Sequence, residues 1–160
     1  MTFEGNFKYC TGAQCESSCC KSWSGSIDVF QHEVDELRKI VDKKRQETGH
    51  DIQVVDDPHW ECTQMQNCFR EGVGCILGKQ RPTTCKTFPI VFTPEYPKPG
   101  DKIELTIGAC PQKHLILKDE EFFSNAIAYL KTIFNLSDSE IEKFKIKAKK
   151  TRKKLESVIC

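Results

Sequence analysis

Apolar residues recur at helical spacing in two long stretches of the chain. In residues 31–48, Val34, Leu37 and Val41 fall on one stripe, and charged residues fill the opposite face. This is the pattern of an amphipathic helix. Residues 119–136 repeat it with a broader apolar face, formed by Phe122, Phe123, Ile127, Leu130, Ile133 and Phe134. Both stretches are therefore predicted to be helices that pack one face against a core.

A capping motif predicts a third helix near the C-terminus. Ser137 is followed three residues later by Glu140, and this pair can satisfy two backbone amides at the start of a helix. The helix is predicted from about residue 138 to residue 158. Its surface is rich in lysine, and the apolar residues expected to dock inward are Phe144, Ile146 and Leu155.

Strand signals are shorter and lie between the helical stretches. Residues 25–30 and 51–55 are predicted as strands, and residues 89–92 and 103–107 as the arms of a hairpin around a loop at 94–100. The predicted fold is a small α+β domain that spans residues 1–160, with short strands and about three helices. Residues 1–111 form its cysteine-bearing region, and residues 112–160 form its C-terminal helical region.

Two segments of the cysteine-bearing region lack periodicity. Residues 1–24 contain many small or polar residues, and residues 56–90 are interrupted by glycines and prolines, which favour tight turns. An irregular stretch of this length is uncommon inside a compact domain. Because these segments bury few apolar side chains, metal bonds are the expected source of their order.

Charge is distributed unevenly, although the formal net charge is only +1. Residues 143–154 carry eight basic residues and no acidic ones, and the remainder carries 16 basic and 23 acidic groups. Lysines spread around a helix favour a solvated surface. The alternative is binding of phosphates or of an acidic partner, and nucleic acid is not the expected partner.

The interpretation of the ten cysteines depends on whether the protein occupies a reducing or an oxidising compartment. The N-terminus lacks the basic and apolar regions of a signal peptide, and no apolar run is long enough to cross a bilayer. We therefore expect a cytoplasmic protein without a membrane segment. Reducing conditions favour metal ligation over disulfides, which stay an alternative together with inert buried thiols.

Eight of the cysteines form three groups along the chain. The groups read Cys10-x4-Cys15-x3-Cys19-Cys20, then Cys68-x6-Cys75-x9-Cys85, and finally Cys110. Thiolates gathered from several segments are typical ligands of soft metals and of iron–sulfur clusters. All eight are predicted metal ligands.

The run from Cys75 to Pro89, with Arg81-Pro82-Thr83-Thr84-Cys85 at its centre, resembles the hallmark of the cysteine-cluster family, a family of zinc- or iron-chelating domains. Flagellin lysine N-methylase contains a related cysteine domain. The resemblance covers residues 10–111 and implies metal binding by Cys15, Cys19, Cys20, Cys68, Cys75, Cys85 and Cys110. The opening spacers are longer than the family's Cys-x2-Cys-x2-Cys-Cys, and Cys62 and Cys160 have no counterpart.

Neighbouring side chains in an extended backbone point in opposite directions, so the vicinal pair Cys19-Cys20 suits two adjacent sites. Eight cysteines divide into two sets of four, and four thiolates suit either a [4Fe–4S] cluster or a structural zinc. Because the chain lacks the Cys-x2-Cys spacing of many zinc sites and resembles the methylase domain, an iron–sulfur cluster is favoured, with zinc as the alternative.

Arg81 is predicted to support this site by donating hydrogen bonds around bound thiolates. Pro82 fixes its own φ and favours an extended Arg81. The alternative is a plain turn with a solvated arginine. Lys86 either lowers the pKa of the neighbouring Cys85 thiol or is a surface lysine.

Other chemistry is weakly signalled. The four histidines have no paired spacing, and no phosphate-binding glycine loop is present.

Three functions therefore stay open. The first is a metal-binding protein. The second is an iron–sulfur accessory or catalytic protein that modifies protein side chains, as the methylase resemblance implies. The third is a zinc-stabilised module whose basic helix binds a protein partner. Whether the chain is an enzyme, and which residues would be catalytic, is left open.

Overall fold

The computed structural model describes residues 3, 5, 27–56, 60–62, 69–70, 74–108, 110 and 113–159. In this part of the chain, helices alternate with small antiparallel sheets. The predicted α+β class is therefore confirmed. No helix in the described ranges is both long and apolar enough to cross a membrane.

The first predicted helix forms as α1, Val34–Thr48, after a short 3-10 turn at Gln31–Glu33. Its buried residues are the predicted stripe of Val34, Leu37 and Val41. Gly49 ends the helix with φ 72°, and its N–H donates to the carbonyl oxygen of Arg45 at 2.9 Å. Glycine adopts this left-handed conformation without a steric penalty, which explains why the helix stops there.

A three-stranded antiparallel sheet lies beside α1. It consists of β1, Ile27–Asp28, β2, Val54–Asp56, and β3, Trp60–Cys62, in the order β1-β3-β2. The predicted strands at 25–30 and 51–55 correspond to β1 and β2. We call the apolar group next to this sheet the first core cluster, formed by Val29, Val34, Leu37, Val41, Ile52, Cys75, Ile76 and Leu77.

The segment predicted to be irregular contains several very short elements. β4, Phe69–Arg70, pairs with β5, Gly74–Cys75, in a second antiparallel sheet. A 3-10 turn at Gly78–Gln80 leads to α2, Thr83–Thr87. None of these elements is longer than five residues, so periodicity in the sequence could not reveal them.

The predicted hairpin forms between β6, Ile90–Thr93, and β7, Glu104–Ile107. Cis peptide bonds precede Pro89 and Pro94 at the two ends of β6. Ile90 and Phe92 face the core, whereas Val91 and Thr93 are exposed. This alternation is typical of a sheet with one buried face.

Three helices complete the described structure: α3, Lys113–Ile116, α4, Glu120–Ile133, and α5, Asp138–Ile159. Asp119 accepts a hydrogen bond from the Phe122 amide at 2.9 Å. At the start of α5, the Ser137 hydroxyl accepts one from the Glu140 amide at 3.2 Å. The predicted start of the last helix is therefore correct.

The helices and the hairpin enclose a larger apolar group, which we call the second core cluster. Its members are Phe30, Ile90, Phe92, Ile103, Leu105, Ile116, Phe122, Ala126, Ile127, Leu130, Phe134, Leu136, Ile141 and Phe144.

The inward docking predicted for α5 is only partly correct. Phe144 is 1% exposed, but Ile146 is 56% exposed. Two residues correspond to about 200° of rotation around a helix, so Ile146 faces away from the core that Phe144 enters. Leu155 is half-buried.

Candidate functional site

Pro82 sets where α2, the short helix that carries Cys85, begins. Arg81 is extended, with φ −60° and ψ 156°, as predicted for a residue before proline. The chain turns helical only after Pro82, where the Lys86 amide donates to the Pro82 carbonyl at 3.0 Å. The Thr87 hydroxyl donates to the Thr83 carbonyl at 2.9 Å, within the same short helix.

A carboxylate from a distant part of the chain holds the start of α2. Glu33 accepts from the Thr83 amide at 3.1 Å and from the Thr83 hydroxyl at 2.7 Å. Its other oxygen accepts from the Phe30 amide at 3.3 Å. One side chain therefore joins the turn before α1 to the helix that carries Cys85, and it satisfies an amide that a helix start leaves without an internal partner.

Tyr129 of α4 extends this network. Its hydroxyl lies 3.1 Å from the Thr83 hydroxyl. Because the single Thr83 hydroxyl proton is donated to Glu33, the Tyr129 hydroxyl is the donor here. Burial raises the pKa of Tyr129, and the negative charges of Glu33 and Glu36 add to this shift. Phe3 stacks on the Tyr129 ring with centroids 5.0 Å apart.

The basic residues on either side of α2's first turn are not freely solvated. Arg81 is only 5% exposed, which rules out the plain turn with a solvated arginine. Lys86 is half-buried, and burial lowers the pKa of its ammonium group; Glu33 opposes this shift, and the positive charge of Arg81 adds to it. Arg81 and Lys86 thus lie close in sequence to Cys85, which is itself half-buried, and the carboxylates of Glu33 and Glu36 act on Lys86 from the same region.

The two residues that flank Cys85 also hold the two ends of the N-terminal cysteine segment. Gly5 packs against Lys86 so closely that a Cβ at residue 5 would overlap the Lys86 carbonyl oxygen. On the other side, the Thr84 hydroxyl donates to the Asp28 carbonyl in β1. Gly5 and Asp28, which lie on either side of the sequence segment with Cys10, Cys15, Cys19 and Cys20, therefore both contact α2.

Cys75 and Cys110 are associated with different core clusters. Cys75 is buried in the first core cluster and pairs across the sheet with Phe69, the residue that follows Cys68. Cys110 packs against the second core cluster. It lies two residues after Gly108, whose amide donates to the Pro89 carbonyl at 2.7 Å. The segments with Cys85 and Cys110 consequently leave the same end of the β6–β7 hairpin.

Five of the eight predicted ligands, Cys10, Cys15, Cys19, Cys20 and Cys68, lie outside the described residues, as does Cys160. The backbone of Cys62 lies in β3 between Ile27 and Val54. Within the described ranges, no three or more histidine, cysteine, aspartate or glutamate side chains are placed to hold a metal ion. Cys75, Cys85 and Cys110 therefore do not form a three-ligand site by themselves.

Several residues that shape this region carried no signal in the sequence. Glu33 and Thr83 are 50 positions apart, and Tyr129 lies on a helix whose pattern indicates only core packing. Thr83 and Thr84 belong to the Arg81-Pro82-Thr83-Thr84-Cys85 motif, but the motif does not indicate what their side chains contact. Their hydroxyls, rather than their β-branched shape alone, are what connect α2 to its neighbours.

Comparisons with known proteins add no relative. No protein family, no curated protein and no solved structure matches the chain. The resemblance to the cysteine-cluster family therefore stays a prediction that rests on its motifs.

Proposed function

We propose that this chain is a metal-binding protein whose clustered cysteine thiolates hold an iron–sulfur cluster, with [4Fe–4S] favoured, or zinc. The proposed ligands are Cys10, Cys15, Cys19, Cys20, Cys68, Cys75, Cys85 and Cys110. When bound, either group would supply structural cross-links, and an iron–sulfur cluster would add electron transfer. The proposed compartment is the cytoplasm, where thiols stay reduced.

The observation that carries the proposal is that Gly5 and Asp28, which flank the sequence segment with four cysteines, both contact neighbours of Cys85. Gly5 contacts Lys86, and Asp28 accepts from Thr84. Closing a loop of some twenty residues on its own is entropically unfavourable. Because the fold has already brought these ends to α2, thiolates within the loop could reach a site near Cys85 at a smaller entropic cost.

The charges around α2 support the same proposal. Four thiolates around zinc or around a [4Fe–4S] cluster carry a net negative charge. The guanidinium of Arg81 is buried close to α2, and it acts electrostatically on Lys86. Arg81 and Lys86 would favour thiolate over thiol at a nearby cysteine, because an adjacent cation lowers the pKa of cysteine, whereas the carboxylates of Glu33 and Glu36 would oppose this.

Metal analysis with matched cysteine variants tests this function. The protein, purified without oxygen, should contain stoichiometric iron and acid-labile sulfide with broad visible absorption, or otherwise stoichiometric zinc. Cys85→Ser should lose most of this metal, since serine is a poor ligand for soft metals. Cys62→Ser and Cys160→Ser should retain it. Metal-free protein, or equal loss in all three variants, would contradict the proposal.

A further inference from the structure

A groove of about 760 Å³ lies between α4 and α5. Its apolar lining consists of Leu117, Phe123, Ile127, Ala128, Ile141, Phe144 and Ala148. Phe123 is half-buried and Ala128 is exposed, so part of this lining is accessible. The groove is lined along α5 from Asp138 to Arg152, which at 1.5 Å per residue corresponds to about 21 Å. That length matches about four turns of a helix lying along it.

Basic residues outnumber acidic ones among the charged residues that line the groove, with Lys131, Lys145, Lys149 and Arg152 against Glu120, Asp138 and Glu142. All four acidic residues of α5 are engaged: Asp138 with Lys131, Glu140 with Lys143, Glu142 with Lys145, and Glu156 with Lys118. Six further basic residues of α5 have no ion pair within the described part of the chain. They are Lys147, Lys149, Lys150, Arg152, Lys153 and Lys154. Of these, Lys149 and Arg152 line the groove.

We propose that this groove binds an acidic amphipathic helix of a partner protein. Apolar side chains of the partner would enter between α4 and α5, and its carboxylates would pair with Lys149 and Arg152. An apolar stripe placed in a hydrophobic groove, with complementary charge at the rim, is an established way for proteins to bind helices. The proposal does not depend on metal binding.

The shape of the surface favours a peptide over nucleic acid. A phosphate backbone would use the lysines but would leave the apolar lining without a partner. Single-stranded nucleic acid needs accessible aromatic faces for stacking, whereas Phe144 is 1% exposed. Only Phe123 offers a partly accessible ring in this groove.

The test measures binding of a labelled synthetic peptide to the full chain by fluorescence anisotropy. The peptide is a helix-forming sequence of about 14 residues, with leucines three and four positions apart and glutamates on both flanks. The double variant Lys149→Glu/Arg152→Glu should bind it about tenfold more weakly. The matched control, Lys150→Glu/Lys153→Glu, changes the net charge equally at positions that do not line the groove. It should change affinity by only about twofold at physiological salt.

A variant on the opposite wall makes the test independent of α5. Ala128 is exposed and lines the groove from α4, so Ala128→Glu should fold normally and should also weaken binding by about tenfold. Thermal melts by circular dichroism check folding. Equal weakening in the two double variants would overturn the proposal, as would no binding by the wild type. Tighter binding of a single-stranded RNA oligonucleotide than of the peptide, or self-association that competes with the peptide, would also overturn it.

Discussion

At the residue scale, Glu33 does more than its sequence position suggests. It follows the pattern of an acidic residue at a helix start, yet its carboxylate accepts hydrogen bonds from Phe30 and from both the amide and the hydroxyl of Thr83. Thr83 in turn meets the Tyr129 hydroxyl of α4. A single charged group thus joins the surroundings of α1, α2 and α4. Hydrogen bonds to an ionised acceptor are stronger than those between neutral groups.

Replacing this carboxylate with an amide tests its contribution. Glu33→Gln keeps the size of the side chain but removes the charge and one acceptor, so we expect the free energy of unfolding to fall by about 1–3 kcal/mol. Glu36→Gln is the matched control, because Glu36 is exposed and also acts electrostatically on Tyr129. It should change stability by less than about 0.5 kcal/mol. Urea denaturation of both variants gives the comparison, and equal losses would contradict the role assigned to Glu33.

At the element scale, α2 is where separate parts of the chain meet. It has only five residues, but its side chains and backbone contact Asp28 of β1, Glu33, Tyr129 of α4 and Gly5. A helix this short has little stability of its own. Its position is therefore determined by these neighbours, and whatever moves them should move Cys85.

Glycine variants can separate backbone strain from displacement of the N-terminal segment. Gly5 and Gly100 both have positive φ, 68° and 86°, but an added Cβ meets Lys86 only at Gly5 and meets nothing within 4 Å at Gly100. Gly5→Ala and Gly100→Ala should share a strain penalty of about 1 kcal/mol. Only Gly5→Ala should also push the segment away from α2.

The measurement for this pair is the rate at which a chelator removes metal from the purified protein. If the N-terminal cysteines are ligands, Gly5→Ala should lose metal faster than wild type, and Gly100→Ala should lose it at the wild-type rate. Identical rates in the two variants would mean that the contact between Gly5 and Lys86 does not position a metal site.

The elements that the sequence predicted correctly are those with local causes. The stripe of Val34, Leu37 and Val41, the left-handed stop at Gly49 and the cap at Ser137 each depend on residues a few positions apart. α2 and its capping by Glu33 could not be predicted, because their causes lie 50 residues apart. Ile146 was misplaced because a lysine-rich helix offers weak periodicity. The ligand set was read from order and spacing alone, and those features do not contain the distances between sulfur atoms.

At the scale of the whole molecule, apolar burial is divided unequally. Among the described residues, the second core cluster has fourteen buried members from the hairpin, α4, α5 and adjoining residues, whereas the first has eight, and one of these is Cys75. The strands around the first cluster are only two or three residues long. Small sheets of this kind are marginal by themselves. Among the described residues, the first core cluster is therefore the weaker of the two.

Metal removal should consequently loosen the elements around the two core clusters in a defined order. In hydrogen–deuterium exchange, chelator-treated protein should lose protection first in the backbone of β3, β4, β5 and α2, because metal bonds would replace missing apolar burial there. α1, which packs on the first cluster, should follow. Amides in α4, α5 and the β6–β7 hairpin should keep their protection, because Cys110 is the one cysteine among the described residues that packs against the second cluster. Cys160→Ser protein, before and after chelation, should behave like the wild type.

If exchange in the metal-free protein is unchanged everywhere, the cysteine segments are ordered by packing or disulfides, and the metal proposal fails. If instead all elements lose protection together, the two clusters form one cooperative unit, and the division into a weaker and a stronger cluster is wrong.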